Sequence, residues 1–163
     1  LIIRQLIPLI KLFLTRIKAE LSVEKFKQFL RLRNNAQQNL LHLIADLSFT
    51  IEVNEKLDFI INLLANELNS QEIKETLTEN DKYELFPLHS LIRKSRGFEK
   101  PILSFYLKFF SVDEIDSIIK SQNSEGFIFT TETIDSLCKS VRRLYYEIFE
   151  NEDFDFSLLF EEP

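Results

Sequence analysis

NDKYELFPLHSLI, residues 80–92, holds one of the two histidines and one of the four prolines in a chain of 163 residues. A histidine beside Pro87 and Leu88 has three readings: a general base, a metal ligand, or a hydrogen-bonded joint inside a folded turn. The surroundings of His89 decide among them. The other histidine, His42, lies 47 positions upstream in a similar setting, Asn-Leu-Leu-His-Leu-Ile. Two histidines in equivalent local contexts argue for a structural role that recurs, because two catalytic bases at that separation have no common chemistry to perform.

Composition removes most alternatives. No HxxxH, HExxH or CxxC spacing occurs, and Cys138 is the only cysteine, so neither a metal site nor a disulfide framework can be written. A chain without disulfides points to a reducing compartment, and a cytoplasmic location is expected. Gly97 and Gly126 are the only glycines, too few for a phosphate loop, a dinucleotide fingerprint or a GxSxG elbow. Carboxylates are abundant, but none stands out as an acid/base pair. No cofactor is expected, and no enzyme activity. Hydrophobic residues make up 45%, including sixteen phenylalanines, enough to build a core.

Outward from residues 80–92, three stretches align: Ser22–Ile44, Ser70–Ile92 and Ser111–Ile134. Each opens on Ser with an acid in the next three positions, the pattern of a capped helix start. Ser111 with Glu114 has full capping-box spacing. Each continues in a short apolar pattern such as Ile115, Ile118 and Ile119, then breaks at a polar turn: Asn34-Asn35, Asn80-Asp81, Gln122-Asn123. A further helix precedes each Ser: LIPLIKLFL, KLDFIINLLANEL with Leu57, Ile60, Ile61, Leu64 and Leu68 on one stripe, and KPILSFYLKFF with Pro101 in its first turn. Units near 1–44, 45–92 and 93–134 follow, each needing a neighbour to cover its apolar side.

NDKYELFPLHSLI resembles the start of an ankyrin repeat. Asp81 takes the Asp place, Glu84 the Gly place, Phe86 the Thr place, and Pro87, Leu88 and His89 match. In the first unit Asn34 takes the Asp place, and Leu41-His42 match. In the third, Asn123 and Gly126 match, while Thr130-Thr131 replace Leu-His. The resemblance implies an all-α solenoid of about three ankyrin-like repeats, in which His42 and His89 hydrogen-bond across their turns. Ankyrin repeats run about 33 residues, and these units are longer by the short Ser-initiated helix, which sits where an ankyrin finger would be. A HEAT- or armadillo-like stack, at roughly 40 to 47 residues per repeat, is the other architecture that fits.

The ends of the chain differ in charge. Residues 1–33 carry eight bases, Arg31 and Arg33 among them, against Glu20 and Glu24. They form either a solvated helix face or a patch for an acidic partner. Aromatic residues do not interleave with these bases, so nucleic acid is not an expected partner. Leu1–Leu14 is apolar but broken by Arg4, Gln5, Pro8 and Lys11, too short and interrupted to span a bilayer. A chain that lacks Met and starts at Leu1 reads as a fragment or processed product, with further N-terminal helical segments expected.

At the other end, Thr130–Asn151 reads as a long capping helix with Ile134, Leu137, Cys138, Val141, Tyr145, Ile148 and Phe149 on one stripe. Residues 152–163 form an acidic aromatic tail whose Phe154, Phe156, Leu159 and Phe160 are candidate partner-binding residues. It either folds back on the helix or docks on another chain. Thr133-Ile134 followed by Cys138 faintly resembles a SOCS-box start, with Arg142 where that pattern wants an apolar residue. The expected function is a non-catalytic protein–protein interaction module. The low-glycine, Lys-, Asn-, Phe- and Ile-rich composition suits an effector of an intracellular bacterium, acting in the host cytoplasm. The alternatives are a helical accessory domain of a larger enzyme and an adaptor recruiting ubiquitin machinery.

Overall fold

Short polar side chains set where the helices begin. Leu6–Glu20 forms α1. Ser22 then accepts the Lys25 N–H and starts α2, Val23–Leu30. A turn leads to α3, Leu40–Asp46, and α4 is Val53–Glu67. The next start differs from expectation by one residue. Asn69 is the cap of α5, Ser70–Leu77, and Ser70 is already helical. Asn69 Oδ1 accepts the Glu72 N–H at 2.9 Å, and Glu72 returns a bond to the Asn69 N–H, so two otherwise orphaned donors are satisfied. Asn is as good an N-cap as Ser, and only Asn69 has Glu three positions on. Pro87 opens α6, Pro87–Ser95, where its missing N–H removes nothing. Glu99–Tyr106 is α7. Ser111 and Glu114 make the expected capping box for α8, Val112–Ile119. Gln122–Asn123 and Gly126–Phe127 pair as a two-residue antiparallel hairpin, β1 and β2, and Thr130 caps α9, Thr131–Phe149.

These elements come from a computed structural model that describes residues 6–46, 53–95 and 99–150. Within them the chain is mostly helical, with β1–β2 as its strand content, in agreement with an all-α class. In chain order, two helices, a polar turn and another helix follow one another three times; the first helix of each set has 15, 15 and 8 residues and the second has 8 in each.

The short helices are eight residues each, too short to persist alone in water. Packing holds them. Phe26 and Leu30, Ile73 and Leu77, and Ile115 and Ile119 are i, i+4 pairs, all buried. Each such side chain contributes about 1.5–3 kcal/mol when fully buried. The helix α3 lies along α6, α6 along α7, and α9 covers both α7 and α8. The buried stripe of α9 is Ile134, Leu137, Cys138, Val141 and Leu144. The expected stripe continued instead through Tyr145, Ile148 and Phe149, but Ile148 and Phe149 are exposed. The last turn keeps a polar contact with α7, Lys100 to Glu147 at 3.2 Å, while its apolar side chains face outward. In α4, Leu64 and Leu68 are buried and Ile61 is half-buried; the side chains of Leu57 and Ile60 lie outside the described residues.

Ion pairs tie elements far apart in sequence. Lys18 meets Glu67, Lys27 meets Glu72 at 3.3 Å, Arg31 meets Glu75 at 2.9 Å, and Lys74 meets Glu114 at 2.7 Å. Each is worth little by itself at a surface, about 0–1 kcal/mol, but together they fix the register of α1 on α4, of α2 on α5 and of α5 on α8. No described helix is long and apolar enough to cross a membrane.

Candidate functional site: the polar turns and their histidines

The three polar turns are built alike. Asn34, Asp81 and Asn123 each use a side-chain oxygen to accept the backbone N–H two residues on: Ala36 at 2.9 Å, Tyr83 at 2.8 Å and Glu125 at 2.9 Å. In the first two turns the same oxygen also takes the N–H four residues on, Gln38 and Leu85, both at 3.0 Å. This is the Asx turn, in which a side chain imitates a backbone carbonyl. The residue three places after each Asx has positive φ: Gln37 at 58°, Glu84 at 63° and Gly126 at 111°. Gly126 adopts this freely, whereas Gln37 and Glu84 do so at roughly 1–2 kcal/mol.

The turns also touch one another. The Lys82 N–H donates to Ala36 O at 2.9 Å, and Arg33 bridges Gln37 O and Asn80 O. Further on, the Ser124 N–H donates to the Glu84 carboxylate at 2.9 Å, and Asn123 Nδ2 to Tyr83 O at 3.4 Å. Glu84 thus compensates for its backbone conformation with a bond its side chain makes to the next turn.

His42 and His89 both sit at the foot of a turn, each the third residue of its helix, α3 and α6, and both are fully buried. His89 Nδ1 accepts the Phe86 N–H at 2.9 Å, and its Nε2–H donates to Ile118 O at 2.9 Å, in α8. An N–H only donates and a carbonyl only accepts, so these two partners fix a neutral ring with its proton on Nε2. Phe86 and Phe129 flank the ring at centroid distances of 5.5 and 5.4 Å. Burial pushes the His89 pKa down from 6.5 to about 4, against the pull of the Ile118 carbonyl. With both nitrogens engaged and no water access, the imidazole is not placed to serve a substrate.

His42 makes the same outward reach, Nε2–H to Leu85 O at 2.8 Å, while its Nδ1 lies 3.3 Å from Asn39 N and 2.8 Å from Asn39 Oδ1. The acceptor differs from that of His89 because Asn39, absent from the sequence-level candidates, intervenes. Asn39 is fully buried. Its Oδ1 accepts the N–H groups of Leu41 and His42, and its Nδ2 donates to Thr76 O at 2.9 Å and to Glu79 at 3.0 Å. Thr76 in α5 stands where Ile118 stands in α8, so the Asn39 amide does at one joint what the His89 ring does at the next. The available signal was an Asn directly before an apolar run, the position of a helix cap.

The other candidates are placed as follows. Pro87 and Leu88 are buried in the first turn of α6. Arg31 pairs with Glu75, and Arg33 binds carbonyls of two turns, so both bridge elements within the chain. Phe154, Phe156, Leu159 and Phe160 lie outside the described residues. Cys138 is buried, and its thiol is pushed up to about 11 by burial and by the neighbouring Asp116 carboxylate, far from nucleophilic at neutral pH. Buried Asp116 pairs through Oδ2 with Arg142 at 2.8 Å. Its Oδ1 has no partner of hydrogen-bond geometry, although the Cys138 thiol lies beside it. Among the described residues no three His, Cys, Asp or Glu side chains gather as metal ligands would. Open grooves of about 330 Å³ between α1, α2 and α4 and about 460 Å³ between α5 and α8 contain neither histidine.

Compared with family models, with curated proteins and with solved structures, the chain matches none.

Proposed function

We propose that this chain is a non-catalytic protein–protein interaction module: an α-solenoid segment of about three ankyrin-like repeats, capped by α9. The observation that carries the reading is positional. From the first unit to the second, the caps Ser22 and Asn69, the Asx residues Asn34 and Asp81, the left-handed residues Gln37 and Glu84, and the histidines all differ by the same 47 positions. From the second to the third, Asn69 to Ser111, Asp81 to Asn123 and Glu84 to Gly126 differ by 42. One device whose parts all shift together from copy to copy, with hydrogen bonds from each copy to the next, is what a stacked solenoid requires. The extra short helix distinguishes these units from an ordinary ankyrin repeat. The buried, doubly bonded histidines favour a scaffold over the alternative of an enzyme's accessory domain with its own chemistry.

In this reading the partner meets the turn tips, where Tyr83 and Phe127 are 57% and 58% exposed. Exposed aromatics on a rigid turn suit a protein contact. A cytoplasmic setting, the host's if the chain is an effector, belongs to the same proposal. The test is Tyr83→Ala with Phe127→Ala. Proximity labelling should recover a reproducible protein partner with the parent chain and lose it with the variant, at unchanged melting temperature. Equal recovery from both would refute the turn tips as the contact surface.

A further inference from the structure

The outer face of α1 is apolar and, among the described residues, uncovered: Leu9, Leu12 and Phe13 are 60%, 66% and 60% exposed and lie within one arc of the helix. On the neighbouring segment Val23 and Leu32 are exposed as well. This face continues an established interface. The second unit meets the first through Phe59, with Lys11 over its ring, through Leu63 in the groove beside α1, and through Glu67, Glu72, Glu75 and Glu79, which face Lys18, Lys27 and Arg31. Forty-seven positions earlier, the offset of the repeat reading on which this inference rests, stand Leu12, Arg16, Glu20, Lys25, Gln28 and Leu32. The apolar anchor is kept at Leu12 and one carboxylate at Glu20. Leu63 becomes Arg16, Glu72 becomes Lys25, and the acids at 75 and 79 become Gln28 and Leu32.

That change of charge selects the occupant. A further unit of the same kind would bring the base in the place of Lys27 against Lys25 and the base in the place of Arg31 against Gln28 and Leu32, so of the acids at 67, 72, 75 and 79 only Glu20 remains, and a like charge across an interface is unfavourable. Arg16 and Lys25 pair with no carboxylate among the described residues. The face asks for a segment that is both acidic and rich in large apolar side chains. The chain carries one. Residues 152–163, EDFDFSLLFEEP, hold five carboxylates, no base, and Phe154, Phe156, Leu158, Leu159 and Phe160. The segment leaves from α9, which packs on α7 and α8, whereas α1 packs on α2 at the opposite end of the element order.

We infer that residues 152–163 of a second copy dock on the α1 face of the first, a head-to-tail contact in which the phenylalanines cover Leu9, Leu12 and Phe13 and the carboxylates meet Arg16 and Lys25. Such a contact is heterologous, so it builds open chains of subunits or closes into a ring. Its affinity falls with salt, as the ion pairs are screened.

The test uses the full chain. A head variant, Leu12→Asp with Phe13→Asp, and a tail variant, Phe154→Ser with Phe156→Ser, are studied by light scattering over a range of concentrations. The parent chain should gain mass with concentration, and each variant alone should stay monomeric. An equimolar mixture of the two variants should form a one-to-one dimer, because one intact head meets one intact tail. A second head variant, Arg16→Glu with Lys25→Glu, keeps the apolar face and should also lose association. A parent chain monomeric at every concentration overturns the inference, as does a mixture that does not associate. The repeat reading has a separate readout: backbone hydrogen exchange at the three turns should show similar protection in parent and variants, so the two can fail independently.

Discussion

Acidification acts on His89 through the folding equilibrium. The ring is neutral in the folded state, with its pKa lowered from 6.5 to about 4 chiefly by burial. In the unfolded chain the ring takes up a proton near pH 6.5; in the folded protein it resists until about pH 4. Protons therefore bind the unfolded state preferentially within that window. The contribution of the neutral ring is fully present above pH 6.5, declines as pH falls through the window, and is gone below pH 4. At 1.36 kcal/mol per pH unit the gap amounts to ~3 kcal/mol, and about 2 kcal/mol is already lost at pH 5. Against a typical domain stability of about 5–15 kcal/mol this is a large fraction.

The charged groups near the ring oppose one another: Arg93 disfavours protonation and Asp81 favours it, so burial decides the direction. The assay is urea denaturation at a series of pH values for the parent chain and for His89→Gln, which keeps a donor and an acceptor but cannot titrate. Carboxylates titrate in both proteins. Among them, Glu72 is held below its ordinary value first by the Asn69 backbone N–H, and Glu114 first by the Lys74 ammonium, so both drop out of the difference. The parent should lose ~3 kcal/mol more than the variant between pH 6.5 and 4. Parallel stability curves would refute the claim that the imidazole is buried in its neutral form.

Three further outcomes follow from single sites. Asn39→Ala leaves Thr76 O, two backbone N–H groups and Glu79 without their partner and should lower the denaturation free energy by about 1–3 kcal/mol; an unchanged midpoint would show that water replaces the amide. Tyr106→Phe should be neutral or raise stability by up to about 1 kcal/mol, since the Tyr106 hydroxyl is fully buried without a hydrogen-bond partner; a clear loss in thermal unfolding would reveal a partner for it. Gln37→Gly should raise stability by about 0.5–1 kcal/mol, because φ of 58° suits glycine. Glu84→Gly should gain less, as it also removes the bond to the Ser124 N–H, and the two midpoints compared side by side check this.

What the sequence by itself determined about this protein is local. Ser111 and Glu114 form their capping box because both partners lie within one helical turn. Asn34, Asp81 and Asn123 make their turns because an Asx oxygen reaches the N–H two residues on, whatever the rest of the chain does. Even the shifted cap at Asn69 is a local matter, legible in the Glu72 three positions later. Only the tertiary structure decided which carbonyl each histidine reaches, Leu85 from His42 and Ile118 from His89. It also decided that buried Asn39 shares the first joint, that Arg31 meets Glu75, and that Asp116 is buried beside Arg142. It turned the buried stripe of α9 through Leu144 and left Ile148 and Phe149 outside. The physical reason is range. Caps and Asx turns close over two to four residues along the backbone. Joints and ion pairs close across some 26 to 49 residues, where the partner is set by how one helix stacks on another, and identical side chains at equivalent positions find different neighbours.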